Sequence, residues 1–316
     1  MEKYMKALFF ILIFPGFLFV SLFSLIAEFV DRKVHARLQN RVGPPWFQPL
    51  ADIIKLLGKE NLIPKDANPW MFKLAPLFAM TAVITAFLYI PLWKTESLLS
   101  FNGDLIVVFY LLTIPTLAFF IGGWYSTSLY ARIGSIRSIM QLFAYEVPLF
   151  MGILAGALMS NAWSLSEIAI FYSKKPWLCA FNFIGFFVAL TALLGKLEKA
   201  PFDIPEAETE IVAGCFTEYS GRWFALLRMT LNIEMVAGAS LLAAIFLPLG
   251  LGLSPWLGFI VFIAKVLFVV ILISILRTIF ARMRIDQMIN FCWKYLVPFA
   301  MLQLIINLVL KGVIRQ

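Results

Sequence analysis

A chain of 316 residues that is 62% hydrophobic and only 14% charged, with a mean hydropathy of +0.90, is too apolar for a soluble domain of that length. The net charge of +8 is what membrane loops carry and calls for no nucleic-acid partner. A single histidine, His35, excludes two-histidine haem ligation and histidine-rich metal sites.

Eight apolar runs approach the roughly 20 residues that a bilayer crossing needs. They cover residues 5–26, 70–91, 105–123, 141–159, 177–196, 231–249, 257–280 and 291–310. Only helices and closed barrels satisfy their backbone in lipid. The expectation is therefore an all-α integral membrane protein, one polytopic domain over residues 1–316, with about eight transmembrane helices. The first run is too long for a signal peptide and is expected to stay on the protein. Counting residues at the run edges, the connections after runs one, three, five and seven hold 18 Lys and Arg, and the other connections hold 3. The positive-inside rule then predicts long cytoplasmic loops after helices 1, 3, 5 and 7, with both termini outside the plasma membrane.

In chain order, the first helix ends in polar Glu28, Asp31, Arg32 and Lys33 and enters the first cytoplasmic loop, 31–69. Gly43-Pro44-Pro45 forces a turn there. Residues 50–57 then place apolar side chains at helical spacing, with Asp52, Lys55 and Lys59 on other faces, predicting a short interfacial helix. Arg32, Arg37 and Arg41 form a basic cluster whose partner is lipid headgroups, a neighbouring protein, or the acids of residues 198–218. The third connection, 126–138, is short and carries Arg132 and Arg137. The fourth run opens QLFAYEVP, with Glu146 about one turn inside it and Pro148 predicting a locally broken helix. Glu234 sits early in the sixth run. Lys265 lies inside the seventh, where it either snorkels or is a buried ammonium. Arg277, Arg282, Arg284 and Asp286 follow as a second charge cluster.

The least membrane-like stretch lies in the acidic loop, 196–228. Residues 198–221 read EKAPFDIPEAETEIVAGCFTEYSG and hold six of the chain's 18 acids: Glu198, Asp203, Glu206, Glu208, Glu210 and Glu218. Asp203 can cap a helix with Pro205 in its first turn, and Glu206 and Glu210 would then share a face. The bland reading is a solvated loop. Against it, the acids are interleaved with Phe202, Ile204, Ile211, Val212 and Phe216. Arg222 and Arg228 are candidate partners for them.

No P-loop, dinucleotide fingerprint or nucleophile elbow is present. Cys179, Cys215 and Cys292 form no iron–sulfur spacing and read as packing residues. The chain is expected to bind no cofactor or metal itself. Unaided, the pattern is a row of titratable groups, Glu146, Glu234 and Lys265, running from a charged face into the bilayer. That suits proton or sodium movement and leaves the driving reaction open.

These residues resemble a family. KAPFDIPEAETEIVAG and TEYSG, together with RLQNRVGP at 37–44, QPLADIIKLLGKENLIP at 48–64, AYEVP at 144–148 and ARMRIDQ at 281–287, are similar to the NuoH-type membrane subunit of respiratory complex I and its hydrogenase relatives. The motifs keep the family's order over nearly the whole chain. The resemblance implies a subunit that joins a peripheral redox arm to membrane ion pumps. It implies ion-coupling roles for Glu146, Asp203, Glu206, Glu208, Glu210 and Glu218, with Glu234 and Lys265 beside them. Arg37, Arg41, Asp52, Lys55, Glu60, Arg282, Arg284 and Asp286 would meet the peripheral arm. Partners would be hydrogenase or NuoD-like and NuoB-like subunits and antiporter-like membrane subunits. A nickel–iron (NiFe) centre and iron–sulfur clusters would lie in those other subunits.

Three departures bear on the acceptor. Only Pro45, Trp46 and Phe47 separate Gly43-Pro44 from Gln48, where complex I members carry several more residues. Where they read AETNRAPFD this chain reads GKLEKAPFD, so Lys196 replaces a carboxylate and Glu198 an amide. Where they read YHTEYSG it has Cys215-Phe216. The short loop resembles membrane-bound nickel–iron hydrogenases and related ferredoxin-dependent complexes. The expected function is anchoring and ion coupling in such a complex, with a quinone-reducing complex I-type dehydrogenase or a sulfur-reducing relative as alternatives.

Overall fold

The computed structural model describes residues 2–93 and 97–314. All regular structure among them is helical. Seven segments are long and apolar enough to cross a membrane. The first, Leu8–Leu38, joins α1 (Glu2–Leu12) to α2 (Phe17–Leu38) across a short break at Pro15 and Gly16. An amphipathic helix, α3 (Gln48–Leu57), follows at the predicted place. Next comes α4 (Pro69–Tyr89), whose Asn68 side chain accepts hydrogen bonds from the amides of Trp70 and Met71, with Pro69 at the first helical position. Then follow α5 (Asp104–Trp124) and α6 (Leu129–Ser160).

The fifth apolar run is divided. A short α7 (Leu165–Lys174) precedes it, and the run itself forms α8 (Trp177–Phe181) and α9 (Phe183–Lys196), parted at Asn182. Asn182 belongs to a buried amide cluster. Asn307 and Gln303 both donate to its Oδ1, and its own amide donates to Tyr172 Oη. In hydrocarbon such groups must find one another.

The acidic loop contributes α10 (Glu208–Ile211) and a 3₁₀ turn at Gly214–Phe216. The remaining helices are α11 (Gly221–Phe246), α12 (Pro255–Ile279), α13 (Ile285–Phe291) and α14 (Val297–Ile314), the last two joined by a π turn at Cys292–Leu296 into one span.

The bundle is organised on α11, which packs on α2, α4 and α12. Of its apolar window 89% is buried, against 22% for the last span, so α11 is the hub and α14 the rim. Its run Val236-Ala237-Gly238-Ala239-Ser240 explains this. Small side chains let backbones approach where lipid gives no hydrophobic drive.

Two expectations are corrected on α6. The helix starts at Leu129, so the short third connection is largely helical, and Glu146 sits near the helix midpoint rather than one turn in. Pro148 also leaves the helix unbroken, because packing against α9 and α14 supports the turn it weakens. At about 1.5 Å per residue the 32 residues of α6 exceed the ~30 Å of bilayer hydrocarbon. The acidic loop packs on the N-terminal part of this long helix, at Gly134 and Ser138.

Candidate functional site

The acidic loop is folded against protein. Its apolar residues Phe202, Ile204, Ile211 and Phe216 are buried, which overturns the solvated-loop reading. The predicted cap at Asp203 is absent. The short helix begins only at Glu208, after Ala207, because the Asp203 carboxylate faces Arg282, with Arg282 Nε 3.1 Å from Asp203 Oδ1.

A cavity of about 690 Å³ lies between this loop, α2, α3, α11 and α12. Its walls are ion pairs. Arg32 donates to Glu28 at 2.6 Å and to Asp52 at 2.8 Å, and Gln48 supports Asp52 at 2.8 Å. Arg228 pairs with Glu206 while its guanidinium lies 5.1 Å from the Phe224 ring centroid, a cation–π contact. Behind the wall, fully buried Asp31 accepts from Lys199 at 2.6 Å, Arg277 at 3.0 Å and Ser274 at 2.6 Å. One carboxylate thereby ties α2, α12 and the acidic loop. Losing a partner of such a buried charge costs about 3–5 kcal/mol.

The cavity is also lined by Glu198, which is buried at a left-handed φ of 49°. Ser138 donates to its Oε1 at 2.6 Å, and its Oε2 has no hydrogen-bond partner. Burial pushes the Glu198 carboxyl up to about 8, against the opposing pull of the Ser138 hydroxyl. Two residues back, at the end of α9, stands Lys196, 2% exposed. Its Nζ lies 2.9 Å from Oε1 of Glu234 on α11, itself 0% exposed. Lys196 also donates to the Leu112 carbonyl of α5 and lies 5.8 Å from the Tyr145 ring centroid. A second, much smaller cavity of about 10 Å³ is lined by Glu146, Tyr145, Lys196 and Gly238.

Of the predicted coupling residues, Glu206 and Asp203 line the large cavity, while Glu146 and Glu234 converge on Lys196. Glu210 is at the surface, where the hydrogen bond from Arg137 (2.6 Å) holds its carboxyl below the usual range. Glu218 is half-buried and does not line the cavity. The side chain of Glu208 lies outside the described residues. Lys265 is buried on α12 with no carboxylate within ion-pair distance among the described residues, so it stands apart from this cluster. Arg37, Arg41, Lys55, Glu60, Arg284 and Asp286 are exposed, while Asp52 and Arg282 are engaged in the cavity wall. Arg32 pairs with Glu28 and Asp52 rather than with the acids of 198–218, because Lys199 reaches from that loop to Asp31 and reverses the expected polarity. Sequence reasoning missed Asp31, Lys199, Arg277 and Lys196. The signal for Lys196 was present as a cation in the place of a family carboxylate.

A helical membrane subunit in which a charged cavity leads to buried carboxylates and a lysine is the class that this fold and site define. The chain matches the family model described as NADH dehydrogenase over residues 10–308. It is 35% identical over 304 residues to the H subunit of NADH-quinone oxidoreductase from Carboxydothermus hydrogenoformans, covering 92% of this chain and 85% of that one. It is 34% identical over 317 residues to the corresponding protein of Dehalococcoides mccartyi, covering 97% and 87%. Among solved structures it is similar to a chain of the membrane-bound sulfane sulfur reductase, an archaeal respiratory membrane complex. The TM-score is 0.86 and the identity 28%, over 97% of this chain and 100% of that one. The chain belongs to the NADH dehydrogenase family and is a NuoH-type membrane subunit of a respiratory complex.

Proposed function

We propose that this subunit anchors a cytoplasmic redox arm and couples its chemistry to proton or sodium translocation, in a ferredoxin-linked complex of the membrane-bound nickel–iron hydrogenase type. The observation that supports the coupling role is that Glu198 of the cavity wall lies two residues from Lys196, which pairs with Glu234 and borders a small gap with Glu146. A change of charge in the cavity alters the proton affinity of neighbouring carboxylates together, since interacting sites titrate as a set. Asp203, Glu206 and the surface Glu210 receive that change from the arm. The NuoD-like and NuoB-like partners would dock on the exposed charges of the first loop and of residues 284–286. Antiporter-like subunits would take up the ion beyond Glu146. The short first loop and the Cys215-Phe216 replacement support an acceptor other than quinone, as does likeness to a sulfane sulfur reductase.

A second reading, a quinone-reducing complex, is favoured by the NADH-quinone oxidoreductase relatives and by a cavity large enough for a headgroup. One experiment separates them. The intact complex is purified through this subunit, assayed for nickel and for hydrogen evolution from reduced ferredoxin, and reconstituted in vesicles with an ion-sensitive dye. Stoichiometric nickel with hydrogen evolution and ion uptake is expected. Ion uptake without nickel, driven by quinone or sulfane sulfur, would move the acceptor assignment. Electron transfer with no ion uptake would refute coupling.

A further inference from the structure

Lys196 sits where the route from the cavity meets the bundle core, and its geometry is unlike that of a packing lock. Its hydrogen bond is directed at the Leu112 carbonyl of α5. The ammonium is also 2.9 Å from Oε1 of Glu234, so one buried cation is shared between a backbone carbonyl and a carboxylate. Glu234 is a fully buried carboxylate whose one ion-pair partner among the described residues is Lys196. On its other side Lys196 borders the 10 Å³ gap shared with Glu146, about the volume that admits one water.

We infer that Lys196 is a positioning residue of the ion route, a fixed cation that serves as the counter-ion of Glu234 between Glu198 and Glu146. This rests on the coupling role proposed above. With Lys196 in place the pair is neutral as a whole, and a proton moving on from Glu198 meets no net charge. Without it, a buried carboxylate lacks its counter-ion, binds a proton tightly and keeps it. A family carboxylate at this place would add a negative charge where this chain has a positive one, so the route here is tuned by a cation of its own.

The test uses the intact complex in vesicles, with Lys196→Met, Lys196→Arg and the charge-neutral double variant Lys196→Met with Glu234→Gln. Electron transfer and ion uptake are read in parallel, and assembly is read as subunit content of the purified complex. The expected result is ion uptake lost by about tenfold or more in Lys196→Met, a size ordinary for coupling between sites, with electron transfer retained. Lys196→Arg, which keeps the charge, retains uptake. The double variant assembles like the wild type and stays uncoupled. If Lys196→Met fails to accumulate, the double variant decides. Restored uptake in it would reduce Lys196 to a neutraliser of Glu234 for folding and overturn the inference, as would unimpaired uptake in Lys196→Met. Wild-type complex that moves no ion refutes the coupling reading itself, before any variant is compared.

Discussion

At the scale of single residues, Glu198 makes the sharpest prediction. Its carboxyl is raised to about 8 by burial, against about 4.3 in an unfolded chain. Between those values the unfolded chain releases the proton and the folded chain keeps it. Stability contributed by Glu198 is thus full at low pH and falls as pH rises, reaching its minimum above about 8. Glu198→Gln removes this dependence while leaving an oxygen to accept from Ser138. The melting temperature of the variant complex is expected to match the wild type near about pH 5 and to exceed it near about pH 8.5. A difference that does not change with pH would mean that Glu198 is ionised in the folded protein throughout. Sequence alone showed Glu198 as an acid in an acidic loop. It could not show that the loop folds inward, since that depends on Ser138 and Gln141, distant residues that hold the chain there. Gln141 donates to the carbonyls of Gly195 and Phe202, each at 2.7 Å.

At the scale of elements, the acidic loop is docked through close backbone approaches. A Cβ at Gly134 of α6 would stand 2.5 Å from the Cys215 amide nitrogen and 2.6 Å from Gly214 Cα, both rigid backbone. Gly134→Ala is therefore expected to lift the 3₁₀ turn off α6. The cost is on the order of 1–3 kcal/mol, visible as a lower melting temperature and faster proteolysis within residues 206–218. Unchanged proteolysis would mean that the turn accommodates the methyl group. The helices were legible where a long apolar run dominates, as in α4, α5 and α12. They were not legible where polar residues continue a helix beyond its apolar run. In α6, Arg132, Gly134 and Arg137 look like a loop by composition, but the acidic loop covers that segment and keeps it helical. The break at Asn182 was also hidden, since it is set by amides on α14 more than 100 residues away.

At the scale of the whole molecule, charges divide into two populations. Several of those facing the cavity are paired across elements, as Arg32 with Asp52 and Arg228 with Glu206. Arg37 and Arg41 are exposed and have no ion-pair partner among the described residues. Exposed pairs contribute little within a chain, but complementary charge steers and orients a partner. The double charge reversal Arg37→Glu with Arg41→Glu is expected to leave the subunit folded and membrane-bound while weakening retention of the peripheral arm, about tenfold at low salt. Gel-filtration of the solubilised complex at rising ionic strength checks this. Full retention would place the arm elsewhere.

The large cavity also bears on where membrane voltage falls. On the proposed route the charged wall of the cavity ends at buried Glu198, and a cation that stops at that wall has not yet entered the bundle core. Full passage of the potential is worth roughly 2.3 kcal/mol per charge per 100 mV, and on the proposed route that work would fall on the buried stretch from Glu198 inward. Because Lys196 and Glu234 are opposite charges 2.9 Å apart, the resting pair contributes almost nothing to a voltage-driven displacement. On the proposed route, a proton leaving it toward Glu146 would be the first charge that the potential retards.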